Sequence, residues 1–513
     1  MSHTKREISR AAGIMGIFTL ASRITGLIRE GVVAYLFGAG MTTDAFFVAF
    51  RIPNLFRRLL AEGSLTVAFI PVFSEYRASH TEDETRKMVH AVFSVAVAFL
   101  IAFVVLGILF SPLLIRIFAP GFVVDPQKFN LTVLLNRVMF PYLLLVSLMA
   151  LAMGVLNSVN HFSSPAFAPV LLNLSMIAIP FLCYSFFVPP IISLGVAVLV
   201  GGMFQYAIQI RPLEKVRLGF RWRWDPRHPG VHKIFRLMGP SVFGTAVYQL
   251  NILITTFMAS WLQEGAISYL WYSGRVFEVI QGVFVIAIAT ATLPTLSRKV
   301  AQKDRSGVEE ALSYSLRMVL WVTIPASVGL VLLAQPISKV LFERGLFTAA
   351  MTEKTASALW AYALGLAPLG AVRVLVQSFY AYQEMKAPVW IAFYTFLLNL
   401  ILSVVLMFPM QHTGLALATT LSVFFQLALL TRSLHKRYAL SVWSPLGKWL
   451  LKTLSIASVM GLSVWGATSF LNASTPLGLL GVIGLGVLVF IALNKLFRSE
   501  ELGELKQYLL KKN

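Results

Sequence analysis

Cysteine is almost missing: Cys183 is the only one in 513 residues. Disulfides within the chain and cysteine-rich metal sites are therefore excluded. Charge is scarce as well, at 13% of residues against 57% hydrophobic, with a mean hydropathy of +0.76. A soluble chain of this length has too few polar side chains to cover so much apolar surface. Several motifs are also lacking. There is no G-x-x-x-x-G-K-[S/T] loop, which argues against direct ATP hydrolysis. There is no H-E-x-x-H, no G-x-S-x-G and no long polar loop with paired carboxylates, which argues against a membrane enzyme. The expectation is a non-enzyme with no cofactor and no metal. A cleavable leader is not apparent either: Lys5, Arg6 and Arg10 are basic, but the first apolar run leads into more of the same rather than into an A-x-A cut site.

Acidic residues are half as common as basic ones, 22 Asp and Glu against 43 Lys and Arg, for a net charge of +21. In a soluble protein that surplus would suggest nucleic acid. No zinc, RNP or basic-helix pattern accompanies it, so a nucleic-acid partner is not expected. The charge sits instead between apolar runs of membrane-spanning length, such as Val89–Leu109, Ser313–Leu333 and Leu477–Leu493. About 14 spans are expected, near 8–36, 42–76, 86–118, 130–158, 165–188, 190–211, 232–262, 267–298, 309–334, 354–382, 387–409, 413–436, 446–470 and 476–497. The segment from Arg211 to Arg236 holds eight basic residues, and further clusters lie at Arg298–Arg317 and from Arg432 to Lys452. The alternate loops, Gly38–Thr43, Val188–Pro190, Gln263–Gly265, Gln411–Thr413 and Asn472–Thr475, are short or mixed. Positive charge stays on the cytoplasmic side, so both termini are expected there.

An internal repeat is visible. Pro71-Val-Phe-Ser resembles Pro294-Thr-Leu-Ser, Ser111-Pro112 recurs as Gln335-Pro336, Ser164-Pro165 as Ala387-Pro388, and Leu172-Asn173-Leu174 as Leu398-Asn399-Leu400, at offsets of 223 to 226. Several matches at nearly one offset imply two six-helix lobes on one plan, expected at 1–220 and 221–440. Residues 441–513 supply two further transmembrane helices and a charged tail. The fold class is thus an all-α polytopic membrane protein. Parallel halves of this kind are a transporter feature, with substrate held between them near mid-membrane.

Arginines fall where hydrocarbon disfavours them. Arg23, Arg29, Arg51, Arg57 and Arg58 lie in or beside the first two apolar runs, and Arg275 interrupts a later one. Each costs roughly 3 kcal/mol or more at mid-bilayer, so such residues usually face a wet cavity on a substrate path. Arg51, Asn54, Arg58 and Glu62 are spaced i, i+3, i+7, i+11 and would share one helix face. Arg275, Glu278 and Gln281 or Gly282 repeat that stripe, and the 224-residue offset sets Arg275 opposite Arg51. Gln249 lies opposite Arg23, so the second half is polar but less cationic. The competing reading is structural: Arg57 and Arg58 snorkel to the headgroups, Arg51 pairs with Asp44 or Glu62, and Glu278 holds Arg275. Against it, Glu30, Asp44, Glu62 and Glu278 are fewer than the arginines. The surplus calls for an external anion, and the planar guanidinium fork suits phosphate. His161 and His412 read as solvated loop residues, Asn173 and Asn399 as helix-packing amides, and Trp222, Trp224 and Trp443 as interfacial anchors.

The run Ser22-Arg23-Ile-Thr-Gly26-Leu-Ile-Arg29-Glu30, then Phe37-Gly38-Ala39-Gly40, Thr43-Asp44-Ala45-Phe46-Phe47-Val48-Ala49-Phe50, Pro53-Asn54-Leu55-Phe56-Arg57-Arg58 and Glu62-Gly63 resembles the lipid II flippase family, MurJ or MviN. Pro165-Ala-Phe-Ala-Pro169 and Leu172-Asn173 fit too. That family belongs to the multidrug/oligosaccharidyl-lipid/polysaccharide exporter superfamily. The resemblance implies movement of lipid II, the undecaprenyl-diphosphate-linked disaccharide-pentapeptide, from the inner to the outer leaflet of the bacterial cytoplasmic (inner) membrane by alternating access. It carries essential arginines over to Arg23, Arg29, Arg57 and Arg275, and acids to Asp44 and Glu278. It makes spans 13 and 14 a groove for the polyprenyl tail. A sodium site of some members uses acids in the seventh and eleventh spans, which here contain no Asp or Glu. The expected partners are lipid II, membrane lipids and proteins of cell-wall synthesis or division. The alternatives are export of another lipid-linked oligosaccharide or of drugs, a non-transporting cell-wall scaffold, or a membrane glycosyltransferase.

Overall fold

The computed structural model describes residues 3–503, and every regular element among them is helical. The chain divides into two compact units, Met1–Ser268 and Tyr269–Asn513.

In the first unit, α1 (His3–Phe37) leads into α2 (Met41–Phe56), a π-helical stretch (Arg57–Leu65) and α3 (Thr66–Ser79). Then come α4 (Glu82–Leu109), α5 (Ser111–Phe118), α6 (Pro126–Met139), α7 (Tyr142–Ser158), α8 (Ser163–Cys183), α9 (Ile192–Lys215) and α10 (Pro229–Ala259). Helix α8 packs between α1 and α9, α7 lies on α9, α6 on α2, and α10 on the π stretch and α3. Lipid gives no hydrophobic drive for helix association, so contact rests on close packing and small residues. Gly201 and Gly202 of α9 show this: a Cβ there would meet Leu172 and Tyr142 at 2.7 Å. Phe69, Phe73, Phe93, Leu156 and Ile234 form the unit's buried cluster.

α11 (Ala266–Ile280) carries the chain into the second unit. A second π stretch (Gln281–Val285), α12 (Ile286–Ala301), α13 (Arg305–Phe342), α14 (Ala349–Ala363), α15 (Leu366–Ala381), α16 (Lys386–Tyr438), α17 (Gly447–Phe470) and α18 (Pro476–Leu496) follow. Helix α13 is the spine, touching α12, α14, α15, α17 and α18. Trp321 on α13 donates to Asn494 on α18 at 2.9 Å, which ties the last hairpin to the unit. The 53 residues of α16 are two spans: the backbone leaves helical geometry at Gln411, with φ 51° and ψ −135°. The chain folds back so tightly that a Cβ on Gly414 would sit 2.1 Å from the Leu406 carbonyl oxygen.

Helices lie over each of the 14 expected spans, but the count itself is not reproduced. By length and composition eight helices among the described residues can cross a membrane, or nine if the pair bent by 41° between α14 and α15 is one span. The second and eighth expected spans fail because π stretches cut each into two helices of 16 residues or fewer. The expected span 86–118 also breaks, at Phe110, where Pro112 opens α5.

The repeat is written in the backbone. The π stretches begin at Arg57 and Gln281, 224 residues apart. Asn160 and Gln383, 223 apart, both take positive φ just past a helix end. Each is followed by an amide that reaches five residues back, His161 to the Leu156 carbonyl and Glu384 to the Phe379 carbonyl, both at 2.9 Å. Thr81 and Asp304, again 223 apart, are the N-caps of α4 and α13.

Candidate functional site: buried cations and an acidic latch

Arg29 is buried on α1. It pairs with Glu30, donates to Asn173 Oδ1 at 3.1 Å and lies 3.7 Å from Met176 Sδ. Asn173 in turn donates to the Ser22 carbonyl at 3.0 Å and to Thr25 Oγ1 at 3.2 Å. This cluster clamps α1 to α8, the packing role read for Asn173 in the sequence. The Arg29 Nε is buried without a hydrogen-bond partner. Arg23 is half-buried six residues earlier on the same helix, and Gln249 on α10 is buried.

On α2, Arg51 donates to Thr256 Oγ1 of α10, and Asn54 donates to its own helix at the Phe50 carbonyl, 2.8 Å away. Arg57 and Arg58 are half-buried at the start of the π stretch. There the hydrogen bonds skip to i+5, so the turn widens. The i, i+3, i+7, i+11 stripe therefore holds from Arg51 to Asn54 and loses register before Glu62, whose side chain lies outside the described residues. In the second unit Arg275 bonds Glu278 at 2.8 Å and stacks its guanidinium 4.5 Å from the centre of the Trp271 ring. Gln281, with its amide turned to accept, takes two hydrogen bonds from Arg373, at 2.9 and 3.1 Å.

Asp44 has the most complete set of partners. It is 1% exposed. One carboxylate oxygen accepts from Lys128 Nζ at 2.9 Å and Gly265 N at 2.8 Å, the other from Ser268 N at 2.9 Å and Ser268 Oγ at 2.8 Å. Two of these donors are backbone amides at the start of α11, where an anion also meets the positive end of the helix dipole. Ser268 is the repeat partner of Asp44, 224 residues on. Four residues earlier the pattern is reciprocated: Glu264 accepts from Met41 N at 2.6 Å, at the start of α2. Each of two repeat-related helices thus has its N-terminus capped by an acid from beside the other. Lys128 is also buried, 4.2 Å from the centre of the Phe122 ring.

Several participants were missed in the sequence. Arg373 lies inside the expected tenth span, and the cost argument that singled out the other arginines applies to it equally. Lys128 follows the Asp125-Pro126 helix start and is 84 residues from its partner, beyond any local pattern. Thr256 and Trp271 carry no sequence signal. Two minor readings are corrected. His412 is buried and bonds the Lys354 carbonyl at 2.7 Å, because the tight reversal at Gln411 turns it inward. Trp443 bonds Thr431 at 3.0 Å and packs on the second unit's core instead of anchoring outside it. Among the described residues no three His, Cys, Asp or Glu side chains converge on a possible metal position.

The family model described as lipid II flippase MurJ matches residues 33–484. The chain belongs to the lipid II flippase MurJ family. A probable lipid II flippase MurJ of Vibrio cholerae serotype O1 is 36% identical over 509 residues, covering 95% of this chain and 96% of the relative. The lipid II flippase MurJ of Burkholderia cenocepacia is 36% identical over 472 residues, covering 90% and 91%. A solved lipid II flippase MurJ in an inward closed conformation superposes with a TM-score of 0.81 at 27% identity, covering 94% of this chain and 98% of that one. A solved multidrug resistance MATE family transporter of the MOP superfamily, inward-facing, superposes with a TM-score of 0.66 at 14% identity, covering 82% of this chain and 94% of that one, and shares the fold. The chain is a multi-pass membrane protein of this family.

Proposed function

We propose that this protein flips lipid II from the inner to the outer leaflet of the bacterial cytoplasmic membrane by alternating access. The observation that carries the reading is the family match over residues 33–484, which takes in Arg51, Arg57, Arg58 and Arg275. In this reading the diphosphate is gripped in a cationic central cavity by those four, with Arg23 and Arg29 from α1. A charge-assisted bond from a guanidinium to phosphate is bidentate and about twice as strong as a neutral one. Asn54, one turn past Arg51, and Glu278, bonded to Arg275, sit beside the cations. The six-helix lobes, 1–220 and 221–440, rock about the bound headgroup, and spans 13 and 14 keep the tail in lipid. Both termini face the cytoplasm, and the protein makes no covalent change to its substrate.

Asp44 takes a different part. With its oxygens already engaged, it serves as a latch in place of a phosphate contact. The loops it joins, Gly38–Thr43 and Gln263–Gly265, belong to the sparsely basic set, which the charge rule puts on the outer side. The latch then closes the outer face while the substrate enters from within, and releasing it opens the exit.

The test is translocation of lipid II in proteoliposomes, with outer-leaflet headgroups read by an enzyme confined outside. Vesicles with the protein should expose lipid II faster than empty ones. Equal rates, with movement of other lipid-linked saccharides instead, would favour the exporter alternative. Binding without movement would favour a scaffold.

A further inference from the structure

We propose that residues 217–228 form an anionic-phospholipid site at the membrane surface, separate from the transport path. Helix α9 ends at Lys215, and Arg217 turns through φ 58°. The Leu218 amide then reaches back to the Leu213 carbonyl at 2.9 Å, and Leu218 is buried. From there the chain runs extended along α4 and is pinned three times. The Gly219 carbonyl meets His90 Nε2 at 2.9 Å, Phe220 meets the Phe93 ring edge-on at 5.8 Å, and Arg223 N donates to Ser94 Oγ at 2.7 Å.

This attachment fixes the depth of the strap. Below it, the first turn of α4 is Glu82, Asp83 and Glu84. Above it, residues 95–109 carry no polar side chain, and Phe99, Ile101, Val105, Leu106 and Leu109 are exposed as lipid-facing residues are. The strap therefore lies where water gives way to hydrocarbon. Side chains alternate along an extended chain. Phe220, Trp222 and Trp224 fall on one set, and the two tryptophans are 60% and 57% exposed and stacked on each other, 6.2 Å apart. Arg221, Arg223 and Arg227 supply the charge. Among the described residues none of these three forms an ion pair, and Asp225 is the one acid between them. Paired indoles for the headgroup–acyl boundary next to three exposed guanidiniums match a phosphodiester headgroup in chemistry and depth.

Each surface cation near an anionic membrane is worth about fivefold in affinity, so the three together are worth about 100-fold. The full-length protein would be placed in vesicles of phosphatidylcholine containing brominated phosphatidylglycerol or brominated phosphatidylcholine. Fluorescence of Trp222→Phe/Trp224→Phe would be subtracted from that of the parent. The difference signal should be quenched more by brominated phosphatidylglycerol than by brominated phosphatidylcholine, and Arg221→Gln/Arg223→Gln/Arg227→Gln should abolish that preference while the melting temperature holds. Quenching by acrylamide alone would place the indoles in water or against a soluble partner and overturn the proposal. Equal quenching by both lipids, unchanged in the arginine variant, would overturn it as well.

Discussion

Replacing Asp44 with alanine should release the latch at the start of α11. The carboxylate accepts four hydrogen bonds, one from a buried lysine and two from backbone amides. Removing it leaves the Lys128 ammonium, 10% exposed at its side chain, without its counter-ion. Breaking one side of a buried pair costs about 3–5 kcal/mol. If that energy belongs to the latched state alone, the ratio of latched to unlatched protein falls by roughly 10²-fold to a few thousandfold. The assay is labelling of a single cysteine at position 42 (Thr42→Cys with Cys183→Ser) by an impermeant maleimide added outside. Asp44→Ala should speed labelling strongly. Lys128→Met made together with Asp44→Ala should cost less than the two single changes added, because the stranded charge is gone. Strictly additive effects with unchanged labelling would refute the latch.

Other outcomes follow from neighbouring features. Arg29→Ala removes the buried pair with Glu30 and the bond to Asn173 and should lower stability by about 2–3 kcal/mol, whereas Glu278→Gln, at an exposed pair, should leave the melting temperature within error; a stable Arg29→Ala protein would contradict the clamp between α1 and α8. Gly414→Ala pushes a Cβ to 2.1 Å from the Leu406 carbonyl oxygen and should destabilise by about 2 kcal/mol or more, read from the melting temperature in detergent. The Asp304 carboxyl is held below its ordinary range, first by its hydrogen bond from Lys299 and then by the Gly307 amide. A lowered folded-state pKa stabilises above the unfolded value and is lost as pH falls through the folded one. Hydrogen exchange at Gly307, compared with Asp304→Asn, should therefore show protection at neutral pH that fades only as the pH drops below the ordinary aspartate range; a flat profile would contradict the cap.

Span positions were legible because apolar run length is set by the bilayer, and the repeat because Pro and Asn punctuate both halves alike. The positions that ended up sharing special backbone, Asn160 with Gln383 and Arg57 with Gln281, obey the same offset. What they do was not legible. An α-helix and a π-helix draw on the same residue types, and tertiary packing decides between them, so the stripe from Arg51 to Glu62 was projected past the point where it holds. The arginines were found by their cost in lipid. Their partners were not, since Asn173 and Thr256 are 144 and 205 residues from Arg29 and Arg51, and the same holds for Lys128, 84 residues from Asp44. The partners of Asp44 were not legible either, since only the fold brings the start of α11 to it.

The most direct test of the central claim is lipid II binding to the purified protein by native mass spectrometry, with Arg23→Gln, Arg57→Gln and Arg275→Gln made singly and together. A hydrogen bond to a charged group contributes about 1.5–3 kcal/mol, so each change should weaken binding roughly 10- to 100-fold, and the triple variant should neither retain lipid II nor flip it. A triple variant that binds and moves lipid II as well as the parent would contradict the proposal that these guanidinium groups hold the diphosphate.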